Sequence, residues 1–409
     1  MQTVSRLLES LSRFNTKWGD SWPFIADHST IPAEHYQFVS CEIPQILATG
    51  DDLRTAIRIF FQGIKLEITQ NPRRSCAYLA LLTYAALAFR RPYIEKNPEK
   101  LAATPQVSEQ SILFPAELSR FWTLVANHLD IEASTSLTAL VYCNFSCKIL
   151  DLQLPFEPSA EILNMDKLIA HQRTRLEQSI MHFCNHHDTQ NRQLYCNFIK
   201  IFLYSEIVGR RIYLWAEEAL KACMVDQSPE RAIGSLSVMV RWAIEALNQH
   251  LGTQDLPGET LAVAQFTPAI KLIERKSAPG VTGALIPFLD EFFGFTSGSS
   301  TYLKKVRLSR VFLLKEMAEV LDCCQTICPY QYIYSQMSAE QRNRLELLKS
   351  TLWEAMKEWR IFHRNQVGRF LAKGVVSQES TPQLKNFLQA FINNMNERIR
   401  TFSHEKSSL

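Results

Sequence analysis

Apolar residues recur at three- and four-residue spacing along most of this chain, and that period suits one kind of element. LRTAIRIFFQGIKLEI (53–68) and LSVMVRWAIEALNQHL (236–251) each place their apolar side chains on one face of a 3.6-residue turn. Alternating strand patterns are scarce, and only 13 glycines punctuate 409 residues. The pattern predicts an all-α protein. It shows no repeat at a fixed period, which argues against a solenoid. With 46% hydrophobic residues there is enough apolar surface for a sizeable core.

Breakers mark the joints. DLQLPFEPSAE (151–161), with two prolines between helical patterns, divides the chain into a small domain (1–155) and a large one (156–409). RRPYIEKNPEKLAATPQVSEQ (90–110) reads as a polar connection. LGTQDLPGE (251–259), KSAPGVTG (276–283) and GFTSGSS (294–300) read as loops. AKGVVSQESTP (372–382) reads as a loop or lid, and SHEKSSL as a frayed tail.

Charge and composition exclude several classes. Forty-four Lys and Arg against 41 Asp and Glu leave +3, with no concentrated basic face, so nucleic acid is not an expected partner. No run reaches the ~18 apolar residues of a membrane span. MQTVSRLLESLSRF lacks the apolar core of a signal peptide. The ten cysteines, among them Cys143, Cys196 and Cys223, lie mostly in helix-like patterns and read as reduced, buried thiols. The expectation is a soluble, cytoplasmic protein.

Three stretches invite a site. HFCNHHD (182–188) gathers three histidines, a cysteine and an aspartate, but the second pair of a closed zinc motif is missing. Residues of this kind before a helix start at Asp188 or Thr189 serve as caps. CCQTIC (323–328) runs into Pro329 at a helix end with nothing basic nearby to lower a thiol, and YCNFSC (142–147) reads as packing. EWRIFHRNQVGRF (358–370) differs. Leu352, Met356, Trp359, His363, Val367 and Phe370 step by three or four, so the imidazole lies on the apolar face. Arg360 sits one turn earlier, and a buried cation needs an anion. A hydrogen-bonded core histidine would explain the imidazole alone. A haem would explain both residues, with iron for His363 and propionates for Arg360.

Several segments together resemble the indoleamine/tryptophan 2,3-dioxygenase superfamily of haem proteins. FHRNQVGRFL (362–371) resembles its proximal helix, and NPRRSCAYLALLTYAALAF (71–89) its Pro-Arg-Arg helix. TALVYCNF (138–145) resembles a Leu-Val-Tyr segment, and SAPGVTGALIPFLDEFFG (277–294) a loop and helix beside the haem. The resemblance runs in order from about residue 70 to 375. It looks nearest to the branch containing monodechloroaminopyrrolnitrin synthase, which rearranges a chlorinated tryptophan.

The resemblance implies a two-domain helical fold with haem b in the larger, C-terminal domain. It implies His363 as proximal iron ligand, with Arg360 near a propionate and Asp290 as the partner of that arginine. Ser277, Ala278 and Gly280 match the loop over the haem. Tyr142 and Phe198 match the wall of the distal pocket, and Ser377 a substrate-contacting loop whose glycine-rich pattern is absent here. Two positions depart from the ring-cleaving enzymes: Gln265 stands where an arginine clamps the substrate carboxylate, and Phe202 where a serine follows the distal phenylalanine. The activity implied is an oxidative rearrangement of tryptophan or a halogenated derivative, using O2 or another oxidant. The alternatives are a 2,3-dioxygenase forming N-formylkynurenine, and a haem or tryptophan sensor without turnover.

Overall fold

A computed structural model describes residues 2–19, 21–23, 25–63, 71–96, 115–133, 136, 138–143, 189–253, 283–295 and 306–376, with 393 and 396. Among them there are helices and no strand, as the apolar period predicts. None of these helices is long and apolar enough to cross a membrane.

Among the described residues, six helices lie before residue 144: α1 (Gln2–Phe14), α2 (Ala33–Gln37), α3 (Ile43–Thr49), α4 (Leu53–Gly63), α5 (Pro72–Lys96) and α6 (Ala116–His128). Six more follow: α7 (Thr189–Met224), α8 (Pro229–Thr253), α9 (Leu285–Phe293), α10 (Lys315–Ile327), α11 (Pro329–Ser335) and α12 (Ala339–Val376). Tyr142 closes a short π-helical turn, Thr138–Tyr142. Arg310 lies in a 3-10 turn, Ser309–Phe312.

Local chemistry sets several boundaries. The hydroxyl of Ser338 accepts from the Gln341 amide while the Gln341 side chain accepts from the Ser338 amide, a capping box that starts α12. Asn71 receives the Arg73 amide at the start of α5. Gly294, at φ 66°, takes the left-handed turn that ends α9. Thr189 is already helical, and HFCNHHD before it lies outside the described residues. Two stretches read as connections begin as helix instead. α5 continues through Pro92 to Lys96, and α12 through Gly374 to Val376. In both, a single breaker costs about 1–3 kcal/mol, which the rest of a long helix outweighs.

Packing joins the two halves of the sequence. α7 and α8 form a long antiparallel hairpin, and α12 lies along α8. α1 buries Val4, Leu7, Leu11 and Phe14 and docks on α10, more than 300 residues away. α9 sits among α7, α10 and α11. The buried apolar side chains form one cluster holding residues from both sides of the 151–161 joint.

Candidate functional site

On α12 the predicted apolar stripe is buried as far as the histidine. Leu352 and Met356 are fully enclosed and Trp359 is nearly so. His363 is half-buried and lies flat against Trp359 one turn earlier, with ring centroids 5.1 Å apart and an interplanar angle of 8°. Arg360 is buried between them in sequence, and its guanidinium reaches Asp290 of α9. Asp290 is 1% exposed, so this ion pair is desolvated on both sides. Arg360 also donates to the Met356 carbonyl of its own helix at 3.4 Å.

The next residue of α9 repeats the device. Glu291 binds Arg310, whose guanidinium also reaches the more exposed Asp322. Burial is the main cause that raises the Glu291 carboxyl to about 7, with Arg310 opposing and Asp290 reinforcing the shift. α9 thus carries two adjacent buried acids, each taken by an arginine from a different element.

At the other end of α9 stands a residue that the sequence reading missed. Glu206 of α7 is 3% exposed. Its Oε1 accepts from the Tyr142 hydroxyl at 2.8 Å and from the Leu285 backbone N–H at 3.2 Å. Its Oε2 accepts from Trp22 Nε1 at 3.0 Å and from the Tyr213 hydroxyl at 3.4 Å. The indole and the amide can only donate, so the arrangement suits an ionised carboxylate. Burial nevertheless pushes the Glu206 carboxyl up, against the pull of these four donors. The same burial, with Glu206 alongside, pushes the Tyr142 and Tyr213 hydroxyls well above their ordinary range. An acid one turn after Phe202, on a mostly apolar helix stretch, is the signal the sequence offers.

The other predicted residues divide as follows. Tyr142 is wholly enclosed, its ring 4.6 Å from that of Trp22, and it faces no opening. Phe202 is half-buried against the core, one turn before Glu206. Phe198 lies on α7, with its side chain outside what is described. Ser277, Ala278, Gly280, Gln265 and Ser377 lie outside the described residues, as does HFCNHHD. The fold therefore brings His363, Arg360 and Asp290 together. The described cysteines are thiols. Burial pushes Cys323 and Cys324 of the CCQTIC stretch upward, away from reactivity.

A half-buried imidazole, with a desolvated guanidinium one turn before it, is a donor set that fits a haem. The imidazole can serve an iron and the guanidinium an acidic edge. A search of protein-family models and of curated proteins finds no match to this chain.

Proposed function

We propose that this chain binds haem b through His363 and holds tryptophan or a halogenated tryptophan beside it for an oxidative rearrangement. The observation that carries this reading is the pair formed by Arg360 and Asp290. The resemblance names these residues as partners across 70 positions, and the fold joins them one helical turn from the imidazole. His363 would hold the group, and once bound it would supply the oxidising iron.

The residues of the chain would do the rest. Arg360, held by Asp290, keeps a fixed cation near the imidazole, and Trp359 holds the ring by its flat contact. Phe198 and Phe202 would wall the pocket and exclude water, with Tyr142 as a rigid backing whose hydroxyl is committed to Glu206. Ser377 would orient the amino-acid end. Gln265, being neutral, leaves the substrate carboxylate without the charged fork that an arginine provides. That loss favours rearrangement over ring cleavage.

The test is an absorption spectrum of purified protein loaded with hemin, titrated with tryptophan and with halogenated tryptophans. A Soret band that shifts on titration supports the proposal. Absence of haem uptake overturns it. Rapid N-formylkynurenine formation from tryptophan and O2 would assign a 2,3-dioxygenase, and a six-coordinate low-spin spectrum without added ligand would assign a sensor.

A further inference from the structure

Glu206 is a buried acid that the proposed chemistry does not use. It is the meeting point of four stretches far apart in sequence: the segment of Trp22, the turn of Tyr142, α7 itself with Tyr213, and the start of α9. The Leu285 N–H that it accepts is the first of α9, one of the amides a helix leaves without an internal partner. The N-cap residue of α9, Ala284, has no side chain able to cap it. Glu206 caps it from a different helix, and the positive end of the α9 dipole faces the carboxylate. Gly209 keeps the approach close: a Cβ there would lie 3.3 Å from Leu285 Cδ1 and 3.6 Å from Glu206 Oε2.

α9 is short and enclosed, with eight of its nine residues buried, so it moves as a rigid piece. Its first residue is held by Glu206, and its sixth, Asp290, holds Arg360 one turn from His363. We propose that Glu206 is a positioning residue for the imidazole face of α12, acting through α9 and the Arg360–Asp290 pair. It touches neither His363 nor Arg360 in any described contact. Its role in placing a haem ligand rests on the proposed function above, whereas its hold on α9 and α12 does not.

The experiment compares Glu206→Gln with wild type in the full-length chain, without added haem. An amide offers one acceptor oxygen in place of two and brings donors of its own against an indole and a backbone N–H. Hydrogen exchange should run about tenfold faster across 285–293, the factor that about one lost hydrogen bond allows. Exchange in 315–327 should stay near wild type. The ring-proton NMR shifts of His363, assigned with His363→Ala and set by its flat contact with Trp359, should move. On adding hemin, affinity should fall by a similar factor, and a further loss should be absent when Asp290→Asn is already in place.

If wild type takes up no hemin, the haem reading fails, while the exchange and ring-shift arms still judge Glu206. Unchanged exchange at 285–293, or unmoved His363 ring shifts, overturns the inference. Equal acceleration at 315–327 also overturns it, because that marks general loosening. Should Glu206→Gln not fold, Tyr142→Phe removes one donor from the same carboxylate oxygen and should loosen 285–293 in the same selective way. A Tyr142→Phe protein indistinguishable from wild type would count against the inference.

Discussion

His363 and Glu206 show how differently two residues can announce themselves. The imidazole falls on a stripe whose other members are plainly apolar, so periodicity alone singles it out. Replacing His363 with Ala is expected to abolish the Soret band of hemin-loaded protein while leaving far-UV circular dichroism nearly unchanged. Glu206 lies on a helix too, yet apart from Tyr213 two turns along it, its partners lie at 22, 142 and 285, and no local spacing connects them. Glu291 gives a pH prediction. Its carboxyl titrates near 4.5 when solvated and at about 7 in the fold, so the native state holds the proton more tightly. Stability from this group is therefore fully present below pH 4.5 and is lost as pH rises through about 7. The loss is on the order of 3 kcal/mol, because a tenfold change in proton affinity is worth about 1.4 kcal/mol. Chemical denaturation across pH 5–8 should show this decline in wild type and lack it in Glu291→Gln.

Helix α9 links residues to elements. LIPFLDEFF is apolar enough to be buried outright, and Pro287 sits in the first turn where its missing N–H costs little. The sequence reveals both facts. It does not reveal that Asp290 and Glu291 point to arginines on different elements, because those partners come from 19 to 70 residues downstream. Gly294 fixes where the helix stops. Its φ of 66° is left-handed, and a Cβ there would lie 2.7 Å from Cys328 Sγ. Gly294→Ala should therefore cost at least the ~1–2 kcal/mol of a left-handed alanine. Urea denaturation should show it, and adding Cys328→Ala should recover only the part due to the clash. Pro92 and Gly374 read as interruptions along the chain, yet α5 and α12 carry on through them, because the cost of one breaker is small beside the bonds and packing of a long helix.

Across the whole molecule, the first described helix is stitched to a late one. Leu7 and Leu11 of α1 are fully buried where α1 docks on α10. Truncating either leucine to Ala should destabilise the protein by about 2–5 kcal/mol. Hydrogen exchange in 315–327 should accelerate along with that in α1; a response confined to α1 would contradict a shared core. The helical class, most helix faces, the burial of the 352–359 stripe and the place of His363 on it are all legible along the chain. These are consequences of a short-range period, which any local window carries. That Asp290 reaches Arg360, that Glu206 caps α9 from another helix, and that the two halves share a core became visible only once the helices were packed. Each of these joins groups tens to hundreds of residues apart, and a buried charge finds its partner by where the helices pack, which no local spacing encodes.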